Sequence, residues 1–405
     1  MQRGKELTLK LSQVANWREL RPMKLSLRET PHLVLEPTNR CNLHCRICYN
    51  LYRDYTKTLD EVKADIDLGL RKRNLETVSI LGGEPTLHPE LPEIVAHIRQ
   101  RNLYCEMLTN GLVFLEDPAD VLLDRLIRAG ISRIVVHVDP GQSHVRADPA
   151  AVCAALFDKL ERKRVWFGIS ITIYPENQGS IAALMKRYAR FRFFDGILAT
   201  LTRDVDRVTR PDSAGTGRLT LETEYYALSR ELGVEPVSYL PTSLDDQDIS
   251  WLIYFYYINA RTGQAVSLSP RLNRLLRRAY RRLTGRQLFG MAPNPRWFAP
   301  TFLGSLAAEF LLHPGSLTSW RRLLHDARFP ADLRFQYIVI QQGPEFNLEK
   351  NQVQMCYHCP DATIREGKLT PVCVADRISP LPTGTTAHPV NEELRRAVYA
   401  HLEQD

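Results

Sequence analysis

Six short apolar segments recur between residues 32 and 200, separated by stretches with helical periodicity. Such βα alternation builds a parallel sheet, and it constrains the fold more than any other feature of this chain. Segments 91–101 and 119–129 carry apolar residues at helical spacing. The predicted strands cover residues 32–37, 77–81, 104–108, 133–138, 166–173 and 196–200. We therefore expect an α/β fold, a partial (β/α)6 TIM-like barrel with chemistry at the carboxyl ends of its strands.

The βα alternation ends at about residue 211. A mixed region rich in Arg, Leu and aromatic residues follows, and we expect a largely helical extension there. The tail is predicted as a Pro/Thr loop over residues 380–389 and a helix starting at Asn391. The predicted regions are an N-terminal extension (1–31), the barrel (32–210), a basic and aromatic region facing substrate or membrane (211–345) and a C-terminal region with a second cysteine cluster (346–405).

Composition excludes several classes of protein. With 405 residues, 44% of them hydrophobic and 24% charged, the chain can bury one large core or two smaller ones. A net charge of +7 is a mild bias toward anionic partners, and no nucleic-acid partner is expected. The first thirty residues show no secretory signal, so a cytoplasmic location is expected. The apolar stretch 251–260 is about half the ~20 residues that cross a bilayer.

Polar residues follow the predicted strands one after another. They are Asn39 with a cysteine loop, Gly82-Gly83-Glu84-Pro85, Thr109-Asn110-Gly111, Asp139, Asn177 and Arg203. Because the carboxyl ends of parallel strands meet at one edge of a barrel, this convergence predicts a single active site. Turn chemistry alone would also choose Asn, Asp and Gly at each position, but it does not account for the cysteines.

The first cysteine cluster places Cys41, Cys45 and Cys48 directly after the first predicted strand. Thiolates are the preferred ligands of iron–sulfur clusters, and three of them leave the fourth iron of a cubane open. An open metal site is typical of catalysis. Short spacings in a chain without an export signal favour metal over disulfides.

This pattern resembles the radical S-adenosylmethionine (SAM) superfamily, whose signature is CxxxCxxC with an aromatic or apolar residue, here Ile47, before the last Cys. The stretch from Gly82 to Pro85 matches the family's GGE loop, with Gly82, Gly83, Glu84 and Pro85 all assigned to SAM binding. The resemblance covers about residues 32–205 and implies a [4Fe–4S] cluster that binds SAM and yields a 5′-deoxyadenosyl radical.

The resemblance also assigns Asn110, Asp139 and Asn177 to contacts with SAM. Turn chemistry explains Asn110 and Asp139 equally well. Family members often carry Ser where this chain has His137, so the details of the SAM contact differ here.

The second cysteine cluster is Cys356-x2-Cys359-x13-Cys373. It is similar to the auxiliary motif of radical SAM GTP cyclases and of truncated SPASM (twitch) elements, which implies a second [4Fe–4S] cluster; zinc and a redox dithiol are the alternatives. The fourth iron would bind substrate or take a further ligand. Candidates are His358, Asp361, Asp376, Cys105 and Cys153, the last two better explained as buried small hydrophobes. The chain ends without the cyclases' glycine- and arginine-rich tail, so GTP is not the predicted substrate.

Residues 271–286 form a predicted amphipathic helix. Its expected apolar face is Leu272, Leu275, Leu276, Ala279, Tyr280 and Leu283, with arginines opposite. Three interpretations stay open: a solvated helix packed on the domain, an interfacial helix in peripheral contact with an anionic membrane, or an arginine comb for a phosphorylated substrate or acidic partner. The flanking segments 251–258 and 297–312 look exposed and favour a lipid-linked substrate, although core packing also explains them.

The leading hypothesis is a radical SAM enzyme that abstracts hydrogen from a small or lipid-like, anionic organic substrate, leading to dehydrogenation, rearrangement or carbon–carbon bond formation. A radical SAM peptide maturase is the alternative among enzymes, and a non-catalytic iron–sulfur electron carrier is the alternative from another class. A flavodoxin- or ferredoxin-type electron donor is the expected partner.

Overall fold

A computed structural model describes residues 8–45, 48–51, 54–138, 149–202, 219–289, 298–347, 352–379 and 390–402. The six predicted strands are confirmed and pair in parallel in chain order. They are β1 (His32–Leu35), β2 (Thr77–Ile80), β3 (Tyr104–Thr109), β4 (Arg133–His137), β5 (Trp166–Ile173) and β6 (Phe194–Leu201). Since all run in one direction, their carboxyl ends lie along one edge, where the cysteine loop follows β1.

Helices connect these strands and cover the outer face of the sheet. They are α1 (Leu59–Lys72), α2 (Leu91–Gln100), α3 (Leu112–Glu116), α4 (Val121–Ala129), α5 (Pro149–Lys163) and α6 (Ile181–Tyr188). The helical segments predicted at 91–101 and 119–129 correspond to α2 and α4. Helix α1 begins at Thr58 with a capping box, in which Thr58 and Glu61 satisfy each other's backbone N–H groups.

The second half of the chain extends the same sheet. Its elements are α7 (Leu221–Glu231), β7 (Ser238–Pro241), β8 (Ile249–Asn259), β9 (Ala265–Ser267), α8 (Pro270–Thr284), α9 (Phe298–Leu312), α10 (Leu317–Leu324) and β10 (Leu333–Gln342). Strand β10 pairs in parallel with β6, β8 runs antiparallel to β10, and β7 and β9 pair with β8. The fold class is confirmed as α/β with a mostly parallel sheet. In the described residues β1 and β7 end the strand order and do not pair, so the barrel is open.

The aromatic segment 251–258 is not exposed, contrary to the sequence-based expectation. It lies within β8, and of its residues only Phe255 is not buried. Strand β8 is central in the second half of the sheet, and its side chains pack on both faces. The segment from Phe298 to Leu312 forms α9, which buries Phe302 and leaves Leu303 and Leu311 exposed. Most aromatic residues of segment 251–258 therefore belong to the core.

Helix α8 is confirmed, but its buried face differs from the predicted one. Ser269 caps its first turn and Gly285 ends it in the left-handed conformation. Leu283 is 86% exposed, and Leu275 and Leu276 are also exposed. Of the predicted apolar face the helix buries Leu272, together with Asn273 from outside that face. The leucines after the first turn are thus exposed rather than part of the core.

The C-terminal region is a compact unit of hairpins and short helices. It consists of β11 (Glu345–Asn347), β12 (Gln352–Gln354), β13 (Ala362–Arg365), β14 (Lys368–Pro371), α11 (Ala375–Ile378) and α12 (Glu392–Leu402). Helix α12 confirms the predicted terminal helix and packs Leu394 and Val398 against Met355 and Val374. The predicted loop at 380–389 lies outside the described residues. Among the helices that are described, none is long and apolar enough to cross a bilayer.

Candidate functional site

The first cysteine loop starts where β1 ends. Asn39 and Asn50 close the loop with two buried hydrogen bonds: Asn39 Nδ2 donates to Asn50 Oδ1 (2.8 Å), and Asn50 Nδ2 donates to the Asn39 carbonyl (2.9 Å). Cys41, Cys45 and Cys48 all line one cavity of about 320 Å³ at the carboxyl edge of the sheet, which we call the cysteine cavity. The predicted Ile47 lies outside the described residues.

The loop after β2 packs directly on the cysteine loop. Gly83 N donates to the Thr38 carbonyl and Glu84 N to the Arg40 carbonyl, each at 2.8 Å. A Cβ on Gly82 would come within 2.2 Å of the Thr38 oxygen, and one on Gly83 within 2.2 Å of the Arg40 oxygen. Gly82 also has φ of +108°. The two glycines are therefore required for the close approach of two protein loops as well as for any approach of a ligand.

Glu84 is 1% exposed, and its carboxylate is already used by the protein. Oε1 accepts from Thr86 N, Thr86 Oγ1 and Thr109 Oγ1, and Oε2 accepts from Asn110 N. Burial raises the pKa of Glu84, while these hydrogen bonds pull it down. The side chain thus ties the β2 and β3 loops together, a role that the sequence analysis did not assign to it.

The other predicted cofactor residues fall into three groups. Asn110 lines the cysteine cavity, and its Nδ2 donates to Asn42 Oδ1 at 2.7 Å. Pro85 and Asn177 do not line it: Pro85 is buried at the start of a 3-10 turn, and Asn177 bonds the backbone of Thr172 and Tyr174 at the end of β5. Asp139, like Arg203, lies outside the described residues.

The cavity also contains residues that the sequence analysis missed. Polar side chains from β5 and β6 point into it, and so do side chains from β8 and β10. They are Ser170, Thr172, Thr200, Trp251 and Gln341. His137 also lines it and lies 3.2 Å from Ser170 through Nδ1 and Oγ. Alternation along β5 could have indicated Ser170 and Thr172, since residues two apart share a face of a strand.

The second cysteine triplet faces the same cavity. Cys356, Cys359 and Cys373 line it together with Cys41, Cys45 and Cys48. Cys356 Sγ accepts hydrogen bonds from Ser250 Oγ and Trp251 Nε1, both at 3.1 Å. A hydrogen bond from Cys359, together with these two donors, lowers the pKa of the Cys356 thiol. The same bond and burial raise the pKa of Cys359.

The candidate fourth ligands of this second site differ in whether they line the cysteine cavity. Asp361 lines the cavity beside the cysteines, and Gln341 Nε2 donates to its Oδ2 at 3.0 Å. Asp376 does not line it, because its carboxylate binds Arg365 and Leu51 N. Cys105 and Cys153 are buried in the main hydrophobic core, which confirms their interpretation as small hydrophobes. His358 is buried next to the ring of Tyr357.

Two buried arginines hold the C-terminal region against the barrel. Arg365 on β13 contacts Glu36 at 2.6 Å and Asp376 at 3.1 Å. Arg73 donates to the carbonyls of His32, Cys359 and Pro360, and burial lowers its pKa to about 10. The second cysteine loop is therefore fixed to β1 and α1 by hydrogen bonds to its backbone.

The chemistry of the donors at the cavity suits iron–sulfur clusters. Among the described residues, no group of three His, Cys, Asp or Glu side chains is arranged to hold one metal ion. Two all-cysteine triplets line one mostly apolar cavity, and thiolates are the ligands that iron–sulfur clusters take.

The parallel sheet, the cysteine loop and the glycine loop lie together at one edge of an α/β fold. Residues 35–186 match the family model of the radical SAM superfamily, and the chain therefore carries a radical SAM domain. Such a domain implies a [4Fe–4S] cluster and SAM as cofactors.

Several curated proteins share part of this domain, and all three named here are enzymes. PqqA peptide cyclase of Streptomyces rochei is 30% identical over 29% of this chain and 31% of its own length. Fe-coproporphyrin III synthase of Methanosarcina barkeri is 28% identical over 40% of this chain and 42% of its own. A probable GTP 3′,8-cyclase of Methanococcus maripaludis is 33% identical over 30% and 37%. The chain thus matches less than half the length of each relative.

Among solved structures, Streptococcus suis SuiB bound to S-adenosylmethionine aligns with 48% of this chain and 44% of its own. The sequence identity is 16% and the TM-score is 0.36.

Proposed function

We propose that this protein is a radical SAM enzyme with two iron–sulfur clusters facing one substrate cavity. The observation that carries the proposal is that both cysteine triplets line the same cavity of about 320 Å³. Cys41, Cys45 and Cys48 would hold the SAM-binding cluster, and Cys356, Cys359 and Cys373 an auxiliary twitch-like cluster. Asp361 is the described side chain best placed to complete the auxiliary site.

The chemistry supplied by the first cluster is one-electron cleavage of SAM to methionine and a 5′-deoxyadenosyl radical, which takes a hydrogen atom from a substrate carbon. The electron would come from a flavodoxin- or ferredoxin-type donor. The protein's own contribution is positioning: the Asn39–Asn50 pair and the glycine loop fix the cysteine loop. The apolar lining from Leu81, Leu108 and Leu198 would exclude water from the radical.

Three features support a small or lipid-like organic substrate. The cavity is lined mostly by apolar atoms, it continues along the inner face of the sheet, and Leu276 of α8, which is exposed, lines that continuation. Dehydrogenation, rearrangement and carbon–carbon bond formation are all open to a substrate radical made there.

A radical SAM peptide maturase is the second candidate. It is favoured by the relatives named PqqA peptide cyclase, one of which is 30% identical over 122 residues. A peptide would have to enter the same cavity from the carboxyl edge of the sheet. Release of 5′-deoxyadenosine that is stimulated by a peptide and not by small apolar acids would favour this candidate.

The test is iron and acid-labile sulfide content, with Mössbauer spectra, on anaerobically reconstituted protein. The wild type is compared with the triple Cys356, Cys359, Cys373→Ala variant while 5′-deoxyadenosine release is assayed in parallel. We expect about eight irons falling to about four with SAM cleavage retained. Four irons in the wild type would overturn the auxiliary cluster, and absence of SAM cleavage would leave an electron carrier.

Peripheral contact with an anionic membrane at the cytoplasmic face is a further proposal for α8. The helix exposes Leu275 and Leu283 beside a row of arginines, the composition of an interfacial helix. Co-sedimentation with anionic vesicles at moderate salt would support it. Replacing Leu275 and Leu283 by Ser should then abolish binding, and absence of binding by the wild type would remove this proposal.

A further inference from the structure

A second cavity of about 220 Å³ lies deeper on the inner face of the sheet, toward the amino ends of the strands. We call it the inner cavity. The two cavities adjoin at the six residues that line both: Leu81, Leu108, Leu198, Trp251, Gln341 and Asp361. At its other end it reaches α8, where Leu276 lines it and is 43% exposed. A ligand could thus extend from α8 to the cysteines.

The wall of the inner cavity is mostly aliphatic and aromatic. Ile253, Phe255, Phe289, Phe335 and Val339 supply much of it. Phe289 also lies against the imidazole of His32, with ring centroids 5.1 Å apart. Burial lowers the pKa of His32, which favours its neutral form. Such a wall suits an apolar ligand body.

Two arginines stand among the described residues of this wall, and one of them, Arg133, is already neutralised. It contacts Glu106 at 2.8 Å and Asp195 at 3.0 Å, and its guanidinium lies over the ring of Tyr337. Asp361 interacts with His32 and Gln341. These charges therefore offer little attraction to an added anion.

Arg277 is the other cation, and it is different. Its side chain points from α8 into the inner cavity, and its Nε is buried without a hydrogen-bond partner. Among the described residues no carboxylate forms an ion pair with it, and burial lowers its pKa. An unpaired cation withdrawn from water is costly unless an anion accompanies it.

We propose that the inner cavity binds an apolar monocarboxylate, whose carboxylate pairs with Arg277 and whose hydrocarbon body runs along Phe289 and Phe335 toward Trp251. That this acid is the substrate rests on the proposed radical SAM function. That the inner cavity binds it does not depend on that function. The end of the ligand opposite the carboxylate reaches the cysteine cavity, so the carbons remote from the acid group are those presented for hydrogen abstraction.

The charges on the wall select a monoanion. One guanidinium matches one carboxylate through two parallel hydrogen bonds. A phosphate dianion would need further cations, and the carboxylates of Glu106 and Asp361 on the same wall would oppose it. The class is therefore a fatty-acid-like or arylalkanoic acid rather than a phosphorylated lipid.

The experiment measures the equilibrium binding of decanoate, decyl phosphate and decanol to the reconstituted protein by isothermal titration calorimetry. The variants are Arg277→Gln and, as a matched control on an exposed position of the same helix, Arg278→Gln. We expect decanoate to bind the wild type and Arg278→Gln equally. In Arg277→Gln its Kd should rise at least about tenfold, while the Kd of decanol is unchanged. Equal decanoate binding by Arg277→Gln, tighter binding of decyl phosphate, or no binding of decanoate to the wild type would each overturn the proposal.

Thermal unfolding keeps the test independent of catalysis. Without ligand, Arg277→Gln should have a Tm equal to or above that of the wild type, because it removes an unpaired buried charge. With decanoate, the wild type should gain more in Tm than the variant does. A lower Tm for the ligand-free variant would mean that Arg277 is structural and would overturn the site. If the wild type binds decanoate but releases no 5′-deoxyadenosine, the proposed function is rejected and the binding site is retained.

Discussion

Arg365 and Glu36 form an ion pair at 2.6 Å in which both side chains are withdrawn from solvent, with exposures of 1% and 2%. Glu36 follows β1 and precedes the first cysteine loop, whereas Arg365 ends β13 near the second cysteine triplet. Asp376, which also binds Arg365, accepts a hydrogen bond from Leu51 N just after Cys48. One guanidinium therefore couples the two cysteine loops.

Replacing Arg365 by Leu should destabilise the protein by about 3–5 kcal/mol, because it leaves the carboxylates of Glu36 and Asp376 buried without a cation. The measurement is urea unfolding at neutral pH. The control is Arg395→Leu, which removes a partly exposed pair with Glu366 and should cost less than about 1 kcal/mol. Equal losses in the two variants would contradict the bridging role of Arg365.

Replacing Trp251 by Phe should lower the reduction potential of the auxiliary cluster that we propose on Cys356, Cys359 and Cys373. The indole N–H donates to the Cys356 sulfur, and such a bond stabilises the more negative, reduced state. A bond of about 1 kcal/mol corresponds to a shift on the order of 40 mV for one electron. An EPR-monitored redox titration measures it, with the exposed Trp17→Phe as control. An unchanged or raised potential would be inconsistent with this hydrogen bond acting on a cluster.

Gly83→Ala should detach the glycine loop from the cysteine loop, because its Cβ would come within 2.2 Å of the Arg40 oxygen. We expect loss of the SAM-binding cluster with retention of the auxiliary one, and a stability cost of about 1–3 kcal/mol. Iron content and Mössbauer spectra after reconstitution report on both clusters. Gly304→Ala, in a helix where an added Cβ meets nothing within 4 Å, should leave iron unchanged. Full iron in Gly83→Ala would refute the contact.

Asp195→Asn should flatten the dependence of stability on pH. Burial raises the pKa of Asp195 to about 7 from an ordinary value of 3.8, against the pull of Arg133. The folded protein then keeps a proton that the unfolded chain releases, so the contribution of Asp195 to stability is complete below about pH 4. It is lost as the pH rises toward 7, by at most about 1.4 kcal/mol per pH unit.

Urea unfolding of Asp195→Asn across that range is the measurement. The control is Asp60→Asn, whose carboxylate is 94% exposed and which should keep the slope of the wild type. A slope in Asp195→Asn as steep as that of the wild type would show that Asp195 is ionised throughout as the partner of Arg133.

Local patterns predicted the first half of the molecule well. Six apolar segments became six parallel strands, and Cys41, Cys45 and Cys48 reached the predicted edge, because period and turn chemistry are local properties. The position of the second triplet in the same cavity as the first was not predictable, since it depends on Arg365 and Arg73 reaching across the fold.

The errors also have physical causes. The leucine pattern of α8 left three interpretations open, and none of them placed Arg277 on the wall of a cavity, because hydrophobic periodicity does not detect a polar residue on an inward face. Trp251 looked exposed because a run of aromatic residues does not reveal that the strand is covered on both faces. Glu84 looked available for a ligand because two of its four donors, Thr109 Oγ1 and Asn110 N, come from a distant part of the chain.

The parallel pairing of β6 with β10 brings Gly196–Leu201 beside Tyr337–Gln342, although these segments are far apart in the chain. During synthesis, β6 leaves the ribosome long before its neighbour exists, and until then it is a bare edge of an apolar sheet. Contacts of such long sequence separation form slowly. A fragment that stops near residue 202 would keep the first three cysteines and lose the strand that protects β6, so we expect it to aggregate rather than to fold as a minimal enzyme.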